Sequence, residues 1–155
     1  PRERWTGSGP SICELLYRSG SGLTPRPLKR IASGGELSRV LLAAKVVMGS
    51  ADHAGTLVFD EVDAGVGGAT ARSLATVLAD LAKTHQVIVV THLAQVAVVA
   101  DAHYVVRKAD TGSGIPETSL VPVEGDERVA EIARMLSGDS SPESLAHARA
   151  MLESL

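Results

Sequence analysis

The chain has 155 residues, 45% hydrophobic and 21% charged, which is long enough for one domain with a substantial core. Its net charge of −3 gives no compositional reason to expect nucleic-acid contact, and its single cysteine, Cys13, excludes an internal disulfide framework. No apolar run approaches the roughly 20 residues that span a bilayer, and no signal-peptide pattern opens the chain. We therefore expect a cytoplasmic protein with no membrane partner. Because the chain begins at Pro1 and not at methionine, we also expect a piece of a longer protein.

The beginning of the chain is predicted to be an extension of the main body. Residues 1–24 are assigned to this extension, with a possible strand at residues 12–17, and residues 25–155 to one α/β domain. Residues 25–30 combine two prolines with three cations, which favours an extended connector.

A strand, a helix and a second strand are predicted in the centre of the chain, after a first helix at residues 35–48. Apolar residues recur along one face of that first helix at Leu37, Val40, Leu41, Ala44, Val47 and Met48. The strands at residues 57–59 and 87–90 are short and continuously apolar, which is typical of a parallel sheet buried on both faces. The helix between them, residues 69–83, is expected to turn Leu74, Val77, Leu78 and Leu81 inward. The spacing predicts a βαβ unit with parallel strands.

The last third of the chain is predicted to mix short strands and helices. We expect a short helix at residues 93–100, a strand at 104–106, and an antiparallel edge strand at 117–123. Two helices follow, one carrying Val129, Ile132, Ala133 and Leu136 on one face and the other beginning at Ser141 with Pro142 in its first position. The second is expected to bury Leu145, Ala148, Leu152 and Leu155.

Three acids lie at the carboxyl end of the first predicted core strand. Asp60 and Glu61 follow the apolar run directly, and Asp63 comes two positions later. Open α/β sheets bind ligands at this edge, where an Asp can hold a hard divalent cation and a Glu can take a proton from water. An acidic loop that caps the next helix is the alternative.

A glycine pair precedes the first predicted helix. Ser33 and Glu36 have the spacing of a capping box, which explains those two residues without any ligand. Gly34 and Gly35 are not explained by capping. Glycines at this position let a ligand approach the backbone, and the free N–H groups of a helix start favour an anion such as phosphate.

Taken together, three motifs resemble the ATPase heads of the ABC superfamily. Residues 33–39 look like its signature motif, residues 57–61 like a Walker B strand ending in a catalytic glutamate, and His92 like the switch histidine after the next strand. Alone, His92 could equally be a surface imidazole at a strand end. Residues 32–39, 58–68 and 90–97 are similar, more narrowly, to the RecN family of SMC-like bacterial DNA double-strand-break repair proteins. The likeness covers about residues 25–155.

The resemblance implies a role for each matching residue. Asp60 would orient Mg²⁺ largely through water, Glu61 would polarise the hydrolytic water, and His92 would contact the γ-phosphate of ATP. The remaining residues would serve a second head: Ser33, Gly34, Gly35 and Glu36 would bind its ATP, and Asp63, Gly65 and Gly67 would lie in a D-loop crossing the interface. Ala32, where transporters usually carry Leu, and the change of the usual D-loop Asp near Gly67 both point away from transporters.

The sequence lacks the phosphate cradle that this family requires. A P-loop needs a Gly-x-x-x-x-Gly-Lys-Ser/Thr run, and none of the lysines, Lys29, Lys45, Lys83 and Lys108, follows a glycine. The resemblance therefore implies the C-terminal lobe of a partial P-loop NTPase head, a mainly parallel sheet flanked by helices without its N-terminal lobe. We expect this chain alone to be unable to hydrolyse ATP, and its sheet to expose an edge and apolar surface that favour self-association.

Other functions stay open. One is an ATPase-like structural clamp that does not turn over, although a dead site would have no need of Glu61. Another is a self-contained metal-dependent hydrolase with Asp60, Glu61, Asp63 and His92 as ligands. Adjacent strand residues point to opposite faces, which argues against the hydrolase unless the strand ends between Asp60 and Glu61. DNA as a partner, and association with the bacterial nucleoid, rest on the resemblance alone.

Overall fold

Two parallel strands joined by a helix form the centre of the fold. The computed structural model describes residues 9, 14–18, 20–30, 33–49, 54–109 and 117–154. Its strands are β1 (Leu16–Tyr17), β2 (Arg26–Pro27), β3 (Thr56–Asp60), β4 (Gln86–Val90), β5 (Tyr104–Ala109) and β6 (Glu117–Pro122). Its helices are α1 (Gly34–Met48), α2 (Gly68–Ala82), α3 (Ala94–Ala97), α4 (Gly125–Ser137) and α5 (Pro142–Glu153). The predicted helices and strands of the centre are thus confirmed to within a residue or two.

β3 and β4 pair in parallel, with Thr56 opposite Gln86 and Asp60 opposite Val90. Helix α2 connects them, which confirms the predicted βαβ unit. Because the two strands run in the same direction and end at paired residues, the segments that follow Asp60 and Val90 leave the sheet at the same edge. Acidic residues follow one strand, and Thr91 and His92 follow the other.

One face of this strand pair forms the main core. Leu57 and Phe59 of β3 belong to one buried cluster with residues of α1, α2, α3 and the turn after β3, namely Leu42, Val62, Leu74, Ala75, Leu78, Leu81 and Val96. Val77 was expected to be inward but is 36% exposed, and Ala71 and Ala75 are buried in α2 instead. The buried face of α2 therefore includes two alanines in addition to its leucines, and it excludes Val77.

The opposite face of the strand pair is uncovered. Val58 is 60% exposed, and Ile88 and Val90 are exposed beside it, so the expected burial on both faces is wrong for the described part of the chain. Helix α1 likewise contributes only Leu42 and Gly35 to the interior. Its apolar stripe is largely exposed, with Val47 at 86%. The expectation of exposed apolar surface is confirmed.

The other strands pair antiparallel. β1 pairs with β2, and β5 with β6, which confirms the predicted antiparallel strand near residue 117. The connector at residues 25–30 is extended only over β2, because Leu28–Arg30 form a 3₁₀ turn. Residues 12–13 of the first predicted strand and Leu155 lie outside the described residues.

Helices α4 and α5 form a second buried cluster with α3. Its members are Ala94, Ala97, Val98, Val129, Ile132, Ala133 and Ala148. Arg128 ties this cluster to the segment after α3 by donating hydrogen bonds to the carbonyl oxygens of Ala97, Val98 and Ala100. Among the helices of the described ranges, none combines the length and apolarity needed to cross a membrane.

The two faces of β3 should respond differently to substitution. Phe59 is 1% exposed, so Phe59→Ala should lower the free energy of unfolding by about 3–5 kcal/mol. Its neighbour Val58 faces the uncovered side, and Val58→Thr keeps the β-branched shape, so its effect should stay within about 0.5 kcal/mol. Urea denaturation of the dilute 155-residue chain measures both. Equal losses at the two positions would contradict the one-sided core.

Candidate functional site

Helix α1 begins at a capped N-terminus. The Ser33 hydroxyl oxygen accepts a hydrogen bond from the Glu36 N–H at 3.2 Å, so the predicted N-cap at Ser33 is confirmed. Ser33 and Gly34 are exposed, whereas Gly35 is buried. The exposed start of this 15-residue helix is therefore open to an anion, because its first N–H groups have no partner within the helix.

The glycine pair is packed against the chain's own turn at residues 61–64, called the 61–64 turn below. A Cβ atom on Gly35 would lie 2.8 Å from the Ala64 Cβ and 2.8 Å from the Glu61 carbonyl oxygen. A Cβ atom on Gly34 would lie 2.7 Å from Glu61 Oε2. Sequence reasoning assigned the glycines to ligand approach. The structure adds a close contact inside the chain as a second reason for them.

Two further residues of α1 hold the segment after β3. The Ser38 hydroxyl donates to the Asp60 carbonyl oxygen at 2.6 Å. Arg39 Nη1 donates to the carbonyl oxygens of Val62 at 3.2 Å and Ala64 at 2.8 Å. Sequence reasoning gave neither residue a role. Their place inside the signature-like run was the available signal, but nothing in that pattern names a partner more than 20 residues away.

Asp60 and Glu61 lie where the strand ends. Asp60 is the last residue of β3, and its side chain is exposed. The Asp60 carboxylate makes no hydrogen bond or ion pair with any described residue. Glu61 is also exposed and has a φ of 55°, in the left-handed region that non-glycine residues rarely occupy. Since the strand stops between them, strand alternation does not force their side chains apart. A free carboxylate at Asp60 suits a hard cation such as Mg²⁺.

Asp63 points into the chain, where it is 1% exposed. Its Oδ2 accepts hydrogen bonds from the Thr91 hydroxyl and, at 3.0 Å, from the His92 N–H. The same oxygen lies 3.2 Å from His92 Nδ1. The His92 side chain is 70% exposed, so the rest of the ring faces solvent. Asp63 thus joins the two strand ends.

Gly65 and Gly67 lie on the exposed side of the connection to α2. Gly65 has a φ of 72°, which explains the glycine there, and Gly67 is the extended residue before α2. No heavy atom lies within 4 Å of a Cβ built on either one, counted over the described residues. Both are therefore free to approach another molecule.

The structure brings together most of the residues that the sequence singled out. Gly34 touches Glu61, and Asp63 of the same turn holds His92, so Ser33, Glu61 and His92 belong to one rim at the carboxyl ends of β3 and β4. Within the described ranges, no three His, Cys, Asp or Glu residues lie in an arrangement that could hold a metal ion.

The two glycines should respond differently to alanine. At Gly35 the added methyl group meets backbone and a short side chain, so Gly35→Ala should destabilise the fold by about 1–3 kcal/mol. At Gly34 it meets only the end of the exposed Glu61 side chain, so Gly34→Ala should change stability by less than about 0.5 kcal/mol. Thermal and urea unfolding of both variants provide the measurement. A harmless Gly35→Ala would show that the contact with the 61–64 turn is not close.

The fold has a counterpart among solved structures. A chain from a structure described as "Structural biochemistry of ATP-driven dimerization and DNA stimulated activation of SMC ATPases" matches with a TM-score of 0.53 at 21% identity, over 75% of this chain and 68% of that chain. At that identity the likeness concerns the fold alone. No family model matches the sequence.

Three similar curated proteins all carry the same name. The chain is 51% identical over 140 residues to the DNA repair protein RecN of Treponema pallidum, which covers 90% of this chain and 24% of that protein. It is 50% identical over 139 residues to RecN of Deinococcus radiodurans and 48% identical over 147 residues to RecN of Streptomyces coelicolor. The chain spans about a quarter of the length of these relatives. Over about nine-tenths of its residues the chain is therefore similar to one part of the RecN DNA repair proteins.

Proposed function

We propose that this chain is the C-terminal lobe of an ATP-binding and ATP-hydrolysing head that acts in DNA double-strand-break repair and recombination. The observation that carries the proposal is the shared rim at which β3, β4 and the start of α1 present Asp60, Glu61, His92 and free helix N–H groups. Phosphoryl transfer depends chiefly on positioning and on stabilising charge, and these groups supply both.

Each residue on the rim has a role in that reaction. The exposed Asp60 carboxylate would hold Mg²⁺, mostly through water, and the bound ion would supply charge neutralisation for the phosphates. Glu61 would orient the attacking water and accept its proton. The solvent-facing side of His92 would contact the γ-phosphate of ATP. The left-handed backbone at Glu61 supports this assignment, because strained residues cluster at functional sites.

A second head would complete the site. Ser33, Gly34, Gly35 and Glu36 would bind the γ-phosphate of ATP held by that head, at the exposed N-terminus of α1. Gly65 and Gly67 would form the D-loop at the interface, which their open surroundings permit. ATP-driven dimerization is named for the SMC ATPases of similar fold, and this supports a homodimer of heads.

The N-terminal lobe of the same protein would cover the uncovered face of the β3–β4 pair. That face presents Val58, Ile88 and Val90 to solvent, and the stripe of α1 adds further apolar surface. Exposed apolar patches of this kind mark interaction sites. Three-quarters of the length of the relatives lies outside this chain, which leaves ample sequence for a lobe that carries the phosphate cradle.

DNA is proposed as a partner of the complete protein, on the strength of the DNA repair relatives. The net charge of −3 of this chain gives no compositional reason to place the DNA contact within it. The location that we propose for the complete protein is the bacterial cytoplasm, in association with the nucleoid.

ATP turnover by the complete protein tests the proposal. It should require Mg²⁺, and Glu61→Gln should lower kcat by about 100-fold or more because the water loses its base. Glu127→Gln, at an exposed position on α4, is the matched control and should leave kcat unchanged. The 155-residue chain alone should be inactive, and adding the N-terminal lobe should restore turnover. The Ile88→Asp variant places a charge on the face that the lobe would cover, so adding the lobe to this variant should not restore turnover.

Each contrary outcome is distinct. Turnover by the chain alone that Glu61→Gln abolishes would contradict the need for a second lobe. Tight ATP binding by the complete protein without turnover would identify a clamp instead of an ATPase. Tight metal binding without nucleotide would favour a metal-dependent hydrolase.

A further inference from the structure

Asp63 is a buried charge whose partners come from a different strand end. Within the described ranges, it is the one charged or polar residue that is buried. Burying a carboxylate is costly unless hydrogen bonds compensate for the lost water. Here both donors, the Thr91 hydroxyl and the His92 N–H, come from the segment that follows β4. The hydrogen bonds that compensate for the burial of Asp63 therefore fix the segment that carries His92.

The third contact of Asp63 orients the ring of His92. Oδ2 lies 3.2 Å from His92 Nδ1, which is an ion-pair distance and not an aligned hydrogen bond. A carboxylate oxygen this close to Nδ1 favours the tautomer that carries the proton there. The contact keeps the Nδ1 side of the ring at Asp63, and Nε2 lies on the other side of a ring that is 70% exposed.

The same residue links His92 to Glu61. Asp63 is two positions beyond Glu61 in the 61–64 turn, whose carbonyl oxygens at Val62 and Ala64 are held by Arg39. The Val66 N–H donates back to the Asp63 carbonyl oxygen at 2.9 Å. Because the turn is fixed at both its backbone and its buried side chain, a shift of Glu61 would be transmitted to His92 through Asp63.

We propose that Asp63 is a positioning residue of the ATPase site, which aims Nε2 of His92 at the nucleotide and keeps it in register with Glu61. This inference rests on the proposed function, since His92 has a phosphate to face only if ATP binds at the rim. It assigns the Asp63 side chain to its own chain, whereas sequence reasoning placed it in a D-loop that crosses to a second head.

Kinetics of the complete protein test the inference. Asp63→Asn keeps the shape but weakens the contact with Nδ1, so kcat should fall about tenfold or more while KM for ATP changes less than about threefold. Because Asp63 acts through His92, adding Asp63→Asn to His92→Gln should cost no more than about twofold further. Asp80→Asn is the matched control: Asp80 is an exposed carboxylate on α2 that pairs with Lys83, so kcat should stay within about threefold.

A spectroscopic measurement keeps the inference testable if a variant folds poorly. The complete protein, labelled with ¹⁵N at histidine and kept free of nucleotide, should show His92 as the Nδ1–H tautomer above pH 8, with the His92→Gln spectrum giving the assignment. The Nε2–H tautomer, or fully additive losses in the double variant, would overturn the inference while leaving the ATPase proposal in place. Absence of turnover in the unaltered complete protein would overturn the ATPase proposal itself.

Discussion

The 61–64 turn is the constraint on which the rim depends. Val62 and Asp63 within it are almost completely buried, so their polar groups must find partners inside the protein. Arg39 from α1 satisfies two carbonyl oxygens, and the segment after β4 satisfies the Asp63 carboxylate. A buried polar group left without a partner costs about 1–3 kcal/mol, so the turn is strongly biased to a single arrangement. That arrangement fixes where Glu61 and His92 lie relative to α1.

Local patterns in the sequence predicted the parts of this rim correctly. The cap at Ser33, the end of β3 at Asp60 and the parallel pairing with β4 follow from periodicity, capping chemistry and the spacing of a βαβ unit, each of which is encoded within a few neighbouring residues. Parallel pairing then brings residues about 30 positions apart to one edge without any further information. That Glu61 and His92 follow strand ends at the same edge of the sheet was therefore within reach of the sequence.

The remaining features depend on contacts that no local pattern records. Arg39 and Asp63 have partners 23 to 29 residues away, and whether a carboxylate after a strand points outward or inward is decided by the packing around it. An apolar pattern also shows that a face avoids water but not what covers it. For this reason β3 was expected to be buried on both faces, yet Val58 is 60% exposed in the described part of the chain.

Hydrogen exchange in the complete protein tests the turn most directly. Arg39→Met removes the donors to Val62 and Ala64 without changing the bulk of the side chain greatly. The N–H groups of Ala64, Val66 and His92 all donate hydrogen bonds to this turn. If the turn is one unit, these three groups should lose protection together and by a similar factor. The control variant Arg72→Met, on the exposed side of α2, should change the exchange of none of them. Faster exchange at Ala64 with unchanged exchange at His92 would show that the turn does not couple the two strand ends.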